Sequence, residues 1–468
     1  MFQRRKKEQS ELAVSTSAMP TPTRSRTASF KSILLTLSLL LNLYLLLLMW
    51  APSSTPLPPS PLVSRLVPTA PRHVLFAVAS SSLSWPRRLP YLRLWCSPAT
   101  TRALAFLDKP PPPNASFPPV IISGDTSAFP YTFRGGLRSA IRVARAVKEA
   151  VDRNETDVRW FVFGDDDTVF FVDNVVRTLA KYDHRRWFYV GSNSESHEQN
   201  VKYSFEMAFG GGGFAISYSL ARVLARVLDS CLRRYGHLYG SDSRIYSCVA
   251  ELGVALTHEP GFHQLDMRGN LFGMLAAHPL SPLLSLHHLD AVDPLFPDMD
   301  RVQALEHLVS AANVDPARIL QQTVCYDRSN SLTFSVYQGN ELLPDLLSLQ
   351  RTFVPWRRGS KVNANFMFNT RDYPRAPCKR PSVFFFKSVT SDKRGIWSNY
   401  NRHVVGNCFE SNATQFKQII VFSRKLELNN EEMNAPRRQC CNVLPSSNDT
   451  ISLHIRPCAI DELISMQS

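Results

Sequence analysis

The run Trp160-Phe161-Val162-Phe163-Gly164-Asp165-Asp166-Asp167-Thr168 constrains this chain more than any other. Four apolar residues closed by a glycine predict a short strand buried on both faces. Three adjacent carboxylates then stand where the strand ends. Like charges held that close repel, and the edge of a core raises the cost of keeping them ionised. A divalent cation reverses the balance, because hard cations take oxygen ligands and cancel the repulsion. The C-terminal edge of a strand is also where open α/β sheets hold their ligands. The plainer alternative is an acidic loop in which Asp167 or Thr168 caps a following helix. Acids abutting a buried strand favour the metal.

The flanking sequence predicts the sheet such a strand needs. Residues 74–79 and 120–122 read as strands, and 136–152 as a helix with Leu137, Ile141, Ala144, Val147 and Val151 on one stripe. Asp173 opens a helix to Tyr182, 187–190 is a strand, and Ser217 or Ser219 starts a helix stopped by Gly236. This alternation predicts an α/β domain over 72–320. Beyond it come short β-rich runs at 332–337, 382–386, 418–422 and 451–455, together with six of the nine cysteines. They predict a smaller, disulfide-containing β-rich domain over 321–468. Adjacent Cys440 and Cys441 are expected to reach different partners.

The first 71 residues read as an address rather than a fold. Residues 1–31 carry seven basic side chains against two acidic ones. Residues 32–50 are uncharged and leucine-rich, and 51–71 are rich in proline. A cytosolic tail, one transmembrane signal anchor and an extended stem are expected, with the remainder luminal in the Golgi. Glycosylation patterns at Asn114, Asn154, Asn412 and Asn448 and the nine cysteines agree with a lumen. The net charge of +14 is thinly spread beyond the tail, with no Arg/Lys stripe or interleaved stacking aromatics, which argues against a nucleic-acid partner.

Three features accompany the acids. Gly210-Gly211-Gly212-Gly213-Phe214 suits a backbone that approaches a ligand, or simply a tight turn. Asp242 opens a helix ending near Gly253; it is either a partner for the helix dipole or a general base. His263 follows a short apolar run, and is either structural or a ligand beside the carboxylates.

Trp-Phe-x-x-x-Asp-Asp-Asp-Thr, Gly-Gly-x-Gly-Phe, Ser241-Asp242 and Phe262-His263 together resemble the Fringe-type β-1,3-glycosyltransferases, over residues 72–295. The runs 134–140, 210–214 and 436–441 bring the likeness closer to the plant Fringe-related proteins and extend it to the C-terminus. The resemblance implies a GT-A fold and an inverting transfer, β-1,3 in type, from a UDP-sugar to a hydroxyl of a glycan or glycoprotein. It implies Mn²⁺ held by Asp165, Asp167 and His263, donor contacts from Asp165, Asp166, Gly211, Gly212 and Gly213, and Asp242 as the base. The C-terminal region has no counterpart in the animal Fringe enzymes.

Two readings compete. His288-Leu289-Asp290 has the H-x-D spacing of a non-haem iron site, which needs a β-barrel and a distal histidine such as His403. A non-catalytic luminal carbohydrate-binding or scaffold protein descended from a transferase is the other.

Overall fold

The structure, a computed structural model, describes residues 27–50, 67–111, 117–276, 280–318, 343–356, 365–380, 382–404, 416–447 and 449–464. Two compact units divide the chain at Leu66/Val67. Among its described residues the first contains one helix, α1 (Thr27–Trp50). Among the described residues no helix is long and apolar enough to cross a membrane, so the expected anchor over 32–50 is not supported. The basic tail through 26 and the stem from 51 to 66 lie outside the described residues.

The second unit is built on a seven-stranded sheet. Its strands are β1 (Val74–Ala79), β2 (Arg102–Leu107), β3 (Val120–Ile122), β4 (Trp160–Asp165), β5 (Tyr189–Gly191), β6 (Phe214–Ser217) and β7 (Leu256–His258). Their spatial order is β3-β2-β1-β4-β6-β5-β7. β1 to β4 run parallel, whereas β6 lies antiparallel to both β4 and β5. The expected α/β class is what forms.

Alternation along the central strands divides the core. Val74, Phe76, Val78, Trp160 and Val162 face one layer, which includes α2 (Trp85–Trp95). Leu75, Ala77, Phe161 and Phe163 face the other, which holds α3 (Ser139–Asp152), α4 (Tyr218–Arg234) and α5 (Asp242–Glu251). β4 is therefore buried on both faces, as an unbroken apolar run requires. A disulfide from Cys231 to Cys248 joins α4 to the C-terminal half of α5. A small second sheet pairs Val169–Phe170 with Ser285–Leu286, and that strand in turn with Phe262–His263.

The C-terminal region forms a five-stranded sheet: β8 (Val383–Ser391), β9 (Ile396–His403), β10 (Gln418–Ser423), β11 (Cys440–Ser447) and β12 (Thr450–Arg456). The order is β8-β9-β10-β12-β11, with β10 and β12 parallel and the other pairs antiparallel. Phe384, Ile419, Val421, Ile451, Leu453 and Ile455 make its core. Cys440 pairs with Cys458 and Cys441 is bridged elsewhere, as opposite-facing neighbours in a strand must be. The expected run at 332–337 lies outside the described residues, as does the boundary expected near 320. Helix α6 (Arg301–Ala312) leads into a tie between the regions: Asp315 accepts from Arg318 Nε at 2.9 Å and from the Leu426 amide at 3.2 Å.

Candidate active site

β4 ends on Asp165, which stands opposite Ala79 at the end of β1. The backbone then turns, and Thr168 secures the turn. Its fully buried hydroxyl accepts the Asp165 amide at 2.9 Å and donates to the Gly211 carbonyl at 2.7 Å. Trp95 Nε1 donates to the Thr168 carbonyl at 3.0 Å. The turn is thus tied both to α2 and to the glycine run.

The three carboxylates diverge. Asp166 accepts 2.7 Å hydrogen bonds from Ser80 and Ser84, which bind it to the start of α2. Burial raises its pKa against those bonds. Asp165 and Asp167 turn toward His287, whose Nε2 lies 3.0 Å from Asp167 Oδ1 and 3.7 Å from Asp165 Oδ2. One ligand atom from each of these three residues lies within 4.8 Å of the others. Asp165 has 43% of its side chain accessible, yet the surrounding protein and the charges of Asp167 and Asp242 push its carboxyl up to about 7, against the pull of His287. Burial works against ionisation of Asp167 too, but His287 and Arg88 hold it below the usual carboxylate range. Burial opposes protonation of His287, and the hydrogen bond to Asp167 overrides it, pushing the imidazole up to about 9.

Arg88 supplies the balancing cation. It reaches from α2 to Asp167 at 3.2 Å and Asp166 at 3.6 Å, and also pairs with Asp290. Its position suits a group that meets anions at this edge of the sheet.

The glycine run closes the site from the β6 side. A Cβ on Gly210 would fall 2.5 Å from Asp242 Oδ1, and one on Gly211 would enter the His287 ring. Only hydrogen at these two positions lets the helix-opening acid and the imidazole reach the β4 edge. Gly212 donates its amide to Gln264 Oε1 at 2.6 Å. Asp242, the first residue of α5, accepts from Ser241 Oγ at 2.9 Å, and burial raises its pKa. It lines a small cavity of about 20 Å³ together with Asp165 and Gly210.

His263 lies elsewhere than expected. Its Nδ1 is 3.0 Å from Glu195 Oε1, and Glu195 Oε2 accepts the Leu265 amide at 2.8 Å. Among the described residues, the imidazole grouped with Asp165 and Asp167 is His287. His263 pairs with Leu286 in register, which places it beside the strand that leads to His287. The signal in sequence was the His287-His288 pair after an apolar run, but the H-x-D spacing draws the eye one residue too far. His288 faces Asp266 at 3.2 Å while Asp290 pairs with Arg88 and Tyr91, so the two do not converge. The sheet around them is not the barrel that an iron site of that kind needs.

The donor set fits a divalent ion. Two carboxylates and an imidazole suit a cation of Mn²⁺ type, and His287 Nδ1 is buried with no hydrogen-bond partner.

These features define an α/β protein with a candidate metal centre at the C-terminal end of its central strand. The chain belongs to the family described as "Protein of unknown function, DUF604", which matches residues 199–441. That match takes in Asp242, His263 and His287 but begins after the three aspartates. The chain is similar to a human beta-1,3-glucosyltransferase, 28% identical over 135 residues, 29% of this chain and 26% of that protein. It is similar also to human beta-1,3-N-acetylglucosaminyltransferase lunatic fringe, 28% identical over 239 residues, 45% of this chain and 58% of that one. The chain therefore spans about a quarter of the first relative and somewhat over half of the second. Among solved structures, the mannosyltransferase PcManGT from Pyrobaculum calidifontis, in complex with GDP-Man and Mn2+, aligns with 42% of this chain and 58% of its own, at 16% identity and a TM-score of 0.26. That likeness is too slight to bear on the site.

Proposed function

We propose that the protein is an inverting, metal-dependent glycosyltransferase of GT-A type, moving a sugar from a UDP-sugar to a hydroxyl of a glycan or glycoprotein. The observation that carries the reading is the Asp165–Asp167–His287 group facing Asp242 across Gly210. The similarity to two β-1,3-glycosyltransferases supports it. A divalent ion held by Asp165, Asp167 and His287 supplies charge neutralisation for a departing diphosphate. The chain's own residues do the rest. Asp242 takes the proton from the acceptor hydroxyl, and the burial that raises its proton affinity suits it to that task. Ser241 fixes the carboxylate at 2.9 Å. Arg88 offers its guanidinium to the donor's phosphates. One in-line displacement inverts the anomeric centre, so no enzyme nucleophile is needed. The disulfides and the exposed Asn154 acceptor pattern support residence in the Golgi lumen.

Calorimetric titration of UDP in the presence of Mn²⁺ tests the centre. Asp167→Ala and His287→Ala should each weaken binding by at least about tenfold while circular dichroism stays unchanged. Unchanged binding in both variants would refute it. Binding without transfer, across a panel of UDP-sugars and acceptors, would leave a carbohydrate-binding protein instead.

A further inference from the structure

We infer that the C-terminal sheet carries a second ligand site, shaped for an anionic oligosaccharide whose sugar rings bear carboxylate or sulfate groups. The inference does not rest on the transferase reading, because no residue of the first site takes part.

A cavity of about 670 Å³ opens at the end of the sheet, where the segment between β10 and β11 passes the end of β12. That volume accommodates a few sugar rings. Its lining is rich in cations: Arg318, Arg424, Lys425, Arg437, Arg438 and Arg456, against Glu427 and Glu432. Some are already matched. Arg318 pairs with Asp315 at 2.9 Å, Arg456 with Glu462 at 2.6 Å, and Glu432 accepts the Asn429 amide at 2.8 Å. Arg437 donates to main-chain carbonyls, including that of Ala459 at 3.0 Å, and shares Glu462 with Arg456. The others are not matched. Arg424, Lys425 and Arg438 make no side-chain hydrogen bond or ion pair among the described residues. Arg438 is partly buried, and burial alone depresses its pKa, with no acid among the described residues to offset it. A guanidinium drawn into protein without a counter-ion is costly unless an anion joins it.

A second observation says what kind of anion. Trp397, Phe422 and His454 are cross-strand neighbours on β9, β10 and β12. Their rings follow one another at 4.5 and 5.1 Å and all stay partly exposed. His454 also lines the cavity, so the aromatic row runs into the basic hollow. Flat apolar rings ending in a cluster of guanidinium groups match a sugar chain, which presents C–H faces beside charged substituents. A bilayer surface cannot enter a hollow. A duplex is met by cations in a stripe rather than in a cavity.

The test is titration of the full chain with six probes: a galacturonate tetramer, a heparin tetrasaccharide, neutral cellotetraose, inorganic phosphate, duplex DNA and phosphatidylserine vesicles. Binding of a charged tetramer that weakens with salt and survives chelation of metal is expected, and the stronger of the two identifies carboxylate or sulfate as the group read. Arg438→Gln and Arg424→Gln should each weaken it by about tenfold. Trp397→Ala should weaken the tetramers while leaving phosphate unchanged. If Arg438→Gln fails to fold in a thermal melt, the exposed Arg424 position decides alone. Cellotetraose binding as tightly as the charged tetramers would overturn the proposal. So would binding that ignores all three substitutions, or duplex DNA or phosphatidylserine vesicles bound more tightly than either tetramer.

Discussion

Replacing Gly211 by alanine probes the candidate centre without removing any polar group. Gly211 has no left-handed backbone angle, so the substitution acts through space alone. A Cβ there would sit 2.5 Å from His287 Nε2 and closer still to Cε1 and Nδ1, whereas ordinary contact begins at 3.4 Å. The imidazole must retreat by about 1 Å or more. It is 4% exposed and backed by His288 at a ring separation of 3.9 Å, so retreat means repacking. Overpacking of this kind costs about 1–3 kcal/mol, which lowers a melting temperature by roughly 2–10 °C for a domain of this size. The same movement stretches the 3.0 Å contact between His287 and Asp167 and withdraws one of three candidate ligands. Mn²⁺ affinity, read by calorimetry, should fall by about 10- to 100-fold. Gly395→Ala is the control: its Cβ would meet Phe422 at 2.6 Å in the C-terminal sheet, lowering the melting temperature and sparing the metal. Unchanged Mn²⁺ affinity in Gly211→Ala refutes the reasoning, whether or not stability falls.

Two further predictions concern single titratable groups. Asp242→Asn should keep donor and Mn²⁺ affinity while transfer falls by roughly 10²–10⁴-fold; a mere helix-end charge would cost at most about 1 kcal/mol of stability and leave turnover near normal. Burial pushes the Cys96 thiol from 9.0 up to about 12. The folded chain therefore keeps a proton that the unfolded chain releases above pH 9, and this contribution to stability declines by about 1.4 kcal/mol per unit from there upward. Urea melts of the protein and Cys96→Ala at pH 8 and pH 10 should show the difference; parallel pH profiles would exclude it.

What was legible in the sequence was whatever depends on neighbours along the chain. β1, β3 and β4 follow from unbroken apolar runs, α3 and α4 from stripes of period 3.6, and the β4 edge from its acids. α2 hides behind Pro86 and Pro90, which read as breakers, yet Pro86 falls in the permissive first turn and Pro90 is accommodated inside. Its Arg88 was invisible for that reason. His287 escaped because nothing local separates it from His263: both follow short apolar strands, and only the pairing of those strands decides which imidazole meets the acids. The glycine run reads as one feature in sequence, but in space Gly210 answers to Asp242 and Gly211 to His287.

The strand order of the C-terminal sheet bears on how that region is made. β12 is the last strand along the chain, yet it lies between β10 and β11, both of which leave the ribosome before it. Until residue 456 has been synthesised, the sheet has a gap in its interior rather than a missing rim. A chain cut short before Thr450 would expose the β10 edge with Ile419 and Val421 beside it, and leave β11 with no partner at all. Open edges of that kind invite pairing with other chains. Loss of the residues from Thr450 onward should therefore be read by the cell as a folding failure, long before any effect on chemistry is felt.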